Sequence, residues 1–341
     1  AAGGVLSIIP IYLYEICQKS IRGLIVTFGI FTYGLGYLLV HLLVQYFSAK
    51  CVLYGAIVVP IVHLLLSYFA VESPSYLVKR GLYENASENL AKLRSLPSDD
   101  ERVTKEIDRL RKESEDGKIV QGYYFIIRNQ VNRNGLKIGL VLQTVRCLGG
   151  SYLVNEQSWK VFLRSKVALH DDVQKLAVPA ILVIAALISV LLVEKCGRKV
   201  LLTTSTSITA FSLGVLGVFM QTELTVTSLN WLPLTALVFT TIGYGLGLFA
   251  VPFAISVEVL NLEVRSTITA IIFMYAWILM FVQKYTFRQI EDYIGLDAII
   301  YIYAAINIYG AIYSLFAIPE TTNKSYAYIA RELKRTPLLE F

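Results

Sequence analysis

The stretch Pro10-Ile11-Tyr12-Leu13-Tyr14-Glu15, followed by Arg22, returns late in the chain as Pro252-Phe253-Ala254-Ile255-Ser256-Val257-Glu258, followed by Arg265. In each copy an apolar, helix-like run ends in a Glu, and an Arg stands seven residues beyond it. A second pair agrees. Ser67-Tyr68-Phe69-Ala70-Val71-Glu72-Ser73 matches Ser314-Leu315-Phe316-Ala317-Ile318-Pro319-Glu320-Thr321 at nearly the same separation. So long a period is not a solenoid. In an apolar chain it points to two homologous membrane bundles related as parallel repeats. The halves are unequal: the second starts near Leu136, whereas only 14 residues precede Glu15. We therefore expect a fragment that begins at Ala1 and is short of roughly 105 residues, about three membrane helices, at its front.

Composition supports the membrane reading. The 341 residues are 55% hydrophobic and 16% charged, with a mean hydropathy of +0.59. A soluble domain carries about 25% charge. Apolar runs of about 20 residues favour helices over alternating barrel strands, so the class is an all-α polytopic membrane protein. Cys17, Cys51, Cys147 and Cys196 are scattered singly, without metal or redox spacing. There is no nucleotide loop, Ser/His/Asp set or metal cluster, so neither enzymatic chemistry nor a cofactor has support. No basic patch with interleaved aromatics suggests nucleic acid. The partners left are a small-molecule solute and the lipid bilayer, with the oligomeric state open.

A partial span covers about residues 1–14. Full spans are expected at about 23–46, 51–71, 136–163, 174–193, 200–221, 231–257, 267–287 and 297–318, each long enough to cross a hydrocarbon core about 30 Å thick. The domains are then residues 1–71, three helices of the first bundle; 72–135, a polar linker; 136–319, six helices of the second bundle; and 320–341, a tail. Within the linker, Ser87 to Lys112 reads as one or two amphipathic helices with Leu90, Leu93, Leu96, Val103, Ile107 and Leu110 as the apolar stripe. The linker alone holds twelve Lys and Arg, among them Lys79, Arg80, Arg94, Lys118, Arg128 and Arg133, while the opposite face holds few: Lys50, Arg164, Lys166 and Arg288. Basic loops mark the cytoplasmic side, which places linker and tail there. The sequons Asn85-Ala86-Ser87 and Asn323-Lys324-Ser325 would then face the cytosol and are chance matches.

Glu15, Arg22, Glu72, Arg198, Glu258, Arg265 and Glu320 all fall where helices reach that side. Snorkelling and orientation signals are one account of them. Snorkelling does not require Glu and Arg at one fixed spacing in both halves, which favours the other account: ion pairs between the bundles that close an inner gate. Exposed pairs contribute only about 0–1 kcal/mol each, but several together bias a two-state equilibrium.

The motifs carry a resemblance. Gly4 to Gly23, with Pro10, Tyr12, Glu15 and Arg22, resembles the fourth-helix signature of the sugar porter family of the major facilitator superfamily. Glu72-Ser73-Pro74-Ser75-Tyr76-Leu77 resembles that family's Pro-Glu-Ser-Pro motif, with Val71 in place of the first Pro. Gly197-Arg198-Lys199 resembles its Gly-Arg-Arg motif, and Pro319-Glu320-Thr321 with Lys324-Ser325 its closing signature. All four in order, over essentially the whole chain, are similar to the insect trehalose and glucose facilitators within the family. The resemblance implies a major facilitator fold of two pseudo-symmetric helical bundles with about helices 4 to 12 present. It also implies alternating access in the plasma membrane, and an intracellular helical domain formed by the linker.

The pocket matches less well. Such sites lie near the midplane at broken helices. The resemblance assigns substrate-binding positions to Ile30, Gln143, Thr144, Arg146, Phe253 and Trp277. Ile30 stands where the family carries a Gln. In Gln143-Thr144-Val145-Arg146-Cys147-Leu148-Gly149 only Gln143 matches Gln-Gln-x-Ser-Gly-x-Asn. Phe253 replaces a Trp, and Ala276 an Asn before the matching Trp277. A lost amide costs about 1–3 kcal/mol per unpaired group. Arg146 lies about ten residues into its span, where a charge by default marks function. It either meets an anionic group on a solute, pairs internally with Glu156, or is hydrated in a vestigial cavity. Gly149-Gly150 beside it is placed to break the helix, and Pro252 and Gly247 to loosen the tenth family helix. Function is therefore read as solute transport of the sugar porter type, for a sugar such as trehalose or a hexose. The alternatives are a non-sugar, anionic solute, or a non-transporting sensor or scaffold.

Overall fold

A computed structural model describes residues 8–9, 11–13, 15–18, 21–118, 129–165, 171–222, 231–322, 324 and 326–335. Gly4, Pro10 and Tyr14 of the opening motif, Arg128, Lys166, Asn323 and Ser325 lie outside them, as do the side chains of Arg22, Lys118 and Arg164. The described residues are overwhelmingly helical and include no strand.

The first half contributes α1 (Arg22–Tyr46) and α2 (Ala49–Ser67). At 1.5 Å per residue, the 25 residues of α1 span about 37 Å, more than the apolar core of a bilayer. None of the α2 side chains is buried against the described chain, and its surface is apolar all round, as a lipid- or helix-facing span requires. The linker folds as α3 (Pro74–Lys79), α4 (Tyr83–Arg94) and α5 (Glu101–Lys118). Ser73 caps α3 by accepting from Tyr76 N–H, with Pro74 at the first helical position, where no N–H is needed. Leu77, Val78, Leu90, Val103, Ile107 and Leu110 bury a small core of their own. Arg94 then fastens that core to the first half. It makes a two-pronged pair with Glu106 at 3.0 and 3.3 Å and donates to the Ile16 carbonyl at 2.9 Å.

The second half begins with α6 (Gln130–Arg146), six residues earlier than hydropathy suggested. Asn129 caps it by accepting from Val131 N–H, and the buried Asn134 donates to Leu333 O at 2.8 Å. Polar residues therefore belong to this helix because they dock α13 (Tyr326–Arg335). Beyond Arg146 the helix breaks. Gly149 leaves helical geometry and Gly150 takes φ +105°, where a side chain is disfavoured. Two widened turns, Cys147–Ser151 and Leu153–Gln157, lead to α7 (Ser158–Ser165). The break anticipated at Gly149-Gly150 is thus present, and Asn307 Nδ2 satisfies its free carbonyl at Gly149, 2.7 Å away.

Then follow α8 (Asp171–Cys196) and α9 (Arg198–Thr222). Next, α10 (Leu232–Gly243) passes through a widened turn, Tyr244–Leu248, into α11 (Val251–Glu258). Last comes α12 (Leu262–Ala317), interrupted at Gly295 with φ +85°. Gly295 separates the two spans that hydropathy placed there. The widened turn at Gly247 is held rather than loose. Ser205 Oγ donates to Gly243 O at 2.6 Å and accepts Leu248 N–H at 3.0 Å, and a Cβ at Gly247 would meet Ser205 at 2.5 Å. Close approach through small residues and hydroxyls is how membrane helices associate without a hydrophobic drive. One core gathers α6, α8, α9, α11 and α12 around Leu142, Leu202, Leu248, Ile255, Ile268 and Ile272. A second fills the far end around Leu153, Leu213, Leu216, Leu237 and Ile300.

Candidate functional site

α1, from the first half, packs along α8, from the second, and each end of this seam carries a polar tie. At one end the N-terminus of α1 presents unsatisfied N–H groups. Glu194 Oε1 accepts from Leu24 N–H at 3.0 Å, and the same carboxylate holds Arg198 at 2.9 and 3.2 Å. Arg198, almost fully buried, also reaches Glu258 at 3.3 Å. Glu258 itself is buried, with Thr321 beside its carboxylate. Glu320 completes the cluster from behind. It accepts from the N–H groups of Arg198 and Lys199 at 3.1 and 3.2 Å, and so caps α9 from the segment that follows α12. Burial pushes the Glu320 carboxyl up, but its bonds from Thr322, Arg198 and Lys199 outweigh this and hold it below the usual carboxylate range. Gly197 makes the cap possible: φ is +88°, and a Cβ there would lie 2.5 Å from Glu320 Oε2.

The other predicted gate residues separate into different jobs. Glu15 accepts from Ser73 Oγ at 2.5 Å, between the first half and the start of the linker. Arg265 donates to the carbonyls of Val257 and Leu260 at 3.2 and 3.0 Å, the end of α11. Glu72 is exposed, and its backbone carbonyl accepts from Asn89. Arg22 opens α1, with its side chain outside the described residues. Glu194, whose acceptance of Leu24 N–H joins the halves, is not among the gate residues expected from the sequence. Its reach across to α1 has no signature in a linear chain.

At the far end of the seam, Tyr37 Oη donates to Asn155 O at 2.5 Å. Between the ties lies a cavity of about 290 Å³, lined by Tyr33, Tyr37, Asn155, Glu156, Leu182, Phe249, Trp277, Met280, Phe281 and Lys284. Tyr33 is nine residues along α1 from Leu24, about 14 Å at helical rise. Tyr33 and Phe249 stack at 6.0 Å, and Glu156 is ion-paired with Lys284.

Of the predicted substrate-binding residues, Trp277 lines this cavity. Ile30 is buried in the core beneath it. Thr144 bonds to Leu140 O and Tyr275 Oη. Gln143, Arg146 and Phe253 form a layer under the cavity floor. Arg146 Nε donates to Gln143 Oε1 at 2.6 Å, and the guanidinium lies 4.7 Å from the Phe253 ring centre. The expected Arg146–Glu156 pair is absent. Gly150 and two widened turns separate the two residues, and Glu156 pairs with Lys284 instead. Tyr33, Tyr37, Asn155, Phe249 and Lys284 were not singled out, because single aromatics and amides in apolar spans carry no spacing signal.

The family described as "Sugar (and other) transporter" matches residues 1–333. The chain belongs to this family. It is 26% identical to the facilitated trehalose transporter Tret1 of Drosophila virilis over 328 residues, covering 95% of this chain and 36% of the relative. It is 26% identical to Tret1 of Drosophila willistoni over 329 residues, covering 95% and 38%. The chain thus spans little more than a third of the length of these curated relatives. Among solved structures it matches the major facilitator proton:xylose symporter XylE of E. coli bound to 6-bromo-6-deoxy-D-glucose. The TM-score is 0.80 at 18% identity, covering 95% of this chain and 70% of that one. This family member is an integral membrane protein with a partial major facilitator fold.

Proposed function

We propose that the protein moves a small sugar across the plasma membrane by alternating access between its two halves. The observation that carries this reading is the cavity on the α1–α8 seam, tied by Leu24–Glu194 at one end and by Tyr37–Asn155 at the other. Opening one tie at a time exposes the cavity to one side of the membrane. Tyr33, Phe249 and Trp277 offer ring faces for the apolar side of a sugar, and Tyr37 and Asn155 supply polar groups. The cavity lies at the small end of ligand sites, about 300–1,000 Å³, which fits a monosaccharide better than a disaccharide. The trehalose named for the relatives supports a sugar as the solute. The Glu194–Arg198–Glu258 cluster is the inner closure, facing the cytosol with the linker, as the basic loops indicate.

The test is uptake of labelled D-glucose, D-xylose and trehalose by the full-length protein in liposomes, with Trp277→Ala in parallel. Saturable uptake of a monosaccharide, reduced by Trp277→Ala, is expected. No uptake of any sugar by folded protein overturns the reading.

A further inference from the structure

Arg146 is a cation buried without an anion. It is 9% exposed, and among the described residues no carboxylate pairs with it. Gln143 Oε1 accepts from its Nε at 2.6 Å, and the Tyr244 hydroxyl is a second bonded group. The Cys147 Sγ at 3.5 Å and the Met280 Sδ at 4.0 Å are weak acceptors. Five guanidinium N–H donors are therefore under-used in a place where an unbalanced charge is expensive. The Nε2 of Gln143 in the same layer is buried with no partner at all.

Two residues connect this layer to the cavity above. Met280 lines the cavity and touches the guanidinium, and Tyr33, another wall residue, lies within the guanidinium's electrostatic reach. Methionine is unbranched and readily changes rotamer, so its thioether is a yielding cover rather than a fixed floor. The charges of the wall leave a remainder. Glu156 and Lys284 cancel as a pair, so the cavity and its floor carry one positive charge, that of Arg146. A guanidinium and an amide N–H side by side match the two oxygens of a carboxylate.

We propose that the solute is a monosaccharide bearing a carboxylate, a sugar acid of the uronate class. Its ring lies among Tyr33, Phe249 and Trp277, and its carboxylate displaces Met280 to reach Arg146 and Gln143. This rests on the transport reading above and narrows its substrate. Loss of a charge-assisted hydrogen bond of this kind lowers affinity about tenfold or more.

The experiment compares labelled D-glucuronate with D-glucose, using the full-length protein in liposomes. Binding is followed separately in detergent by the fluorescence of Trp277 in the cavity. D-glucuronate is expected to be taken up with the lower KM. Arg146→Gln is expected to weaken D-glucuronate binding at least tenfold, and Arg146→Lys to restore part of it. Met280→Ala keeps the cation and removes its cover, and is expected to tighten D-glucuronate binding. It serves even if the charge-removing variant fails to fold. Uptake of D-glucose with rejection of D-glucuronate overturns the proposal and leaves sugar transport standing. Uronate binding unchanged in Met280→Ala and in folded Arg146→Gln also overturns it. Movement of neither solute overturns the transport reading together with it.

Discussion

Glu194 accepts the backbone N–H of Leu24 across the boundary between the two halves, with the oxygen that also holds Arg198. A single carboxylate thus joins the start of α1 to the end of α8. Removing it leaves the α1 N-terminus without an acceptor and leaves Arg198 to Glu258 alone. Loss of a helix-start acceptor costs about 1 kcal/mol, which raises the separated form about fivefold. Glu194→Ala is therefore expected to increase labelling of a reporter cysteine placed beside Leu24, from the linker side, by about that factor. Unchanged labelling would show that the seam is held elsewhere.

The opposite end gives the opposite prediction. The Tyr37 hydroxyl bonds to the Asn155 carbonyl, next to the residue that pairs with Lys284. Tyr37→Phe keeps the ring against His41, 4.3 Å between centres, and deletes only the bond, about 0.5–1.5 kcal/mol. Labelling from the linker side should fall and labelling from the other side should rise. A change of the same sign as that of Glu194→Ala would mean that the two ties do not work against each other.

Gly197 and Glu320 form a cap that tolerates neither partner changing. Gly197→Ala places a Cβ against the Glu320 carboxylate at a positive φ, and should cost more than the roughly 1 kcal/mol of a left-handed residue alone. The same cap gives a pH signature. The Glu320 carboxyl sits below its ordinary value of 4.5 in the folded protein, so it binds protons more readily unfolded. Its contribution is complete above 4.5 and is lost as the pH falls through the lower, folded value. Melting of purified protein between pH 7 and pH 3 should show an acid limb that is shallower in Glu320→Gln. Parallel curves for the two proteins would remove Glu320 as its source.

The membrane spans were legible because a span must be long and apolar whatever it packs against; residues 23–46 as read and Arg22–Tyr46 as found differ by one residue. The shared Glu and Arg spacing of the two stretches was legible in the sequence itself. What the repeat could not disclose is that its members do different work. Glu258 meets Arg198, while Glu15 meets Ser73. The start of α6 was obscured by Asn132 and Asn134, polar in sequence yet buried, with Asn134 bonded to α13. The cavity was least legible. Its walls come one or two residues at a time from α1, the broken α6–α7 segment, α8 and the α10–α11 turn, and four from α12.

Arg94 holds α4 to α5 through two hydrogen bonds to Glu106 and ties the linker to the first half through a third, to Ile16 O. Lysine keeps the charge but cannot make a planar fork and a third bond at once. Arg94→Lys should cost about 1–3 kcal/mol and speed amide exchange in α4 and α5, without altering α9. Uniform acceleration along the whole chain would mean that the linker is not a separate unit.

Asn307 is the support of the broken helix. Its Nδ2 group is shared between Gly149 O at 2.7 Å and Tyr303 O at 2.8 Å, so it spans from α12 to the carbonyl that the break sets free. No water competes for that carbonyl within a bilayer core, so an amide from a neighbouring helix is what permits irregular backbone there. A Cβ on Gly149 would come within 3.0 Å of the same Nδ2, so the two positions fit only as a pair. Asn307→Leu removes the donor and adds branching against Gly149, and should destabilise the protein by about 1–3 kcal/mol. Asn307→Asp retains the shape but faces two carbonyls with acceptor oxygens, and should be at least as harmful. Because the break directs Asn155 and Glu156 toward the cavity, both variants should also weaken solute binding read from Trp277 fluorescence. A loss of melting temperature with unchanged binding would separate the support of the break from the shape of the site.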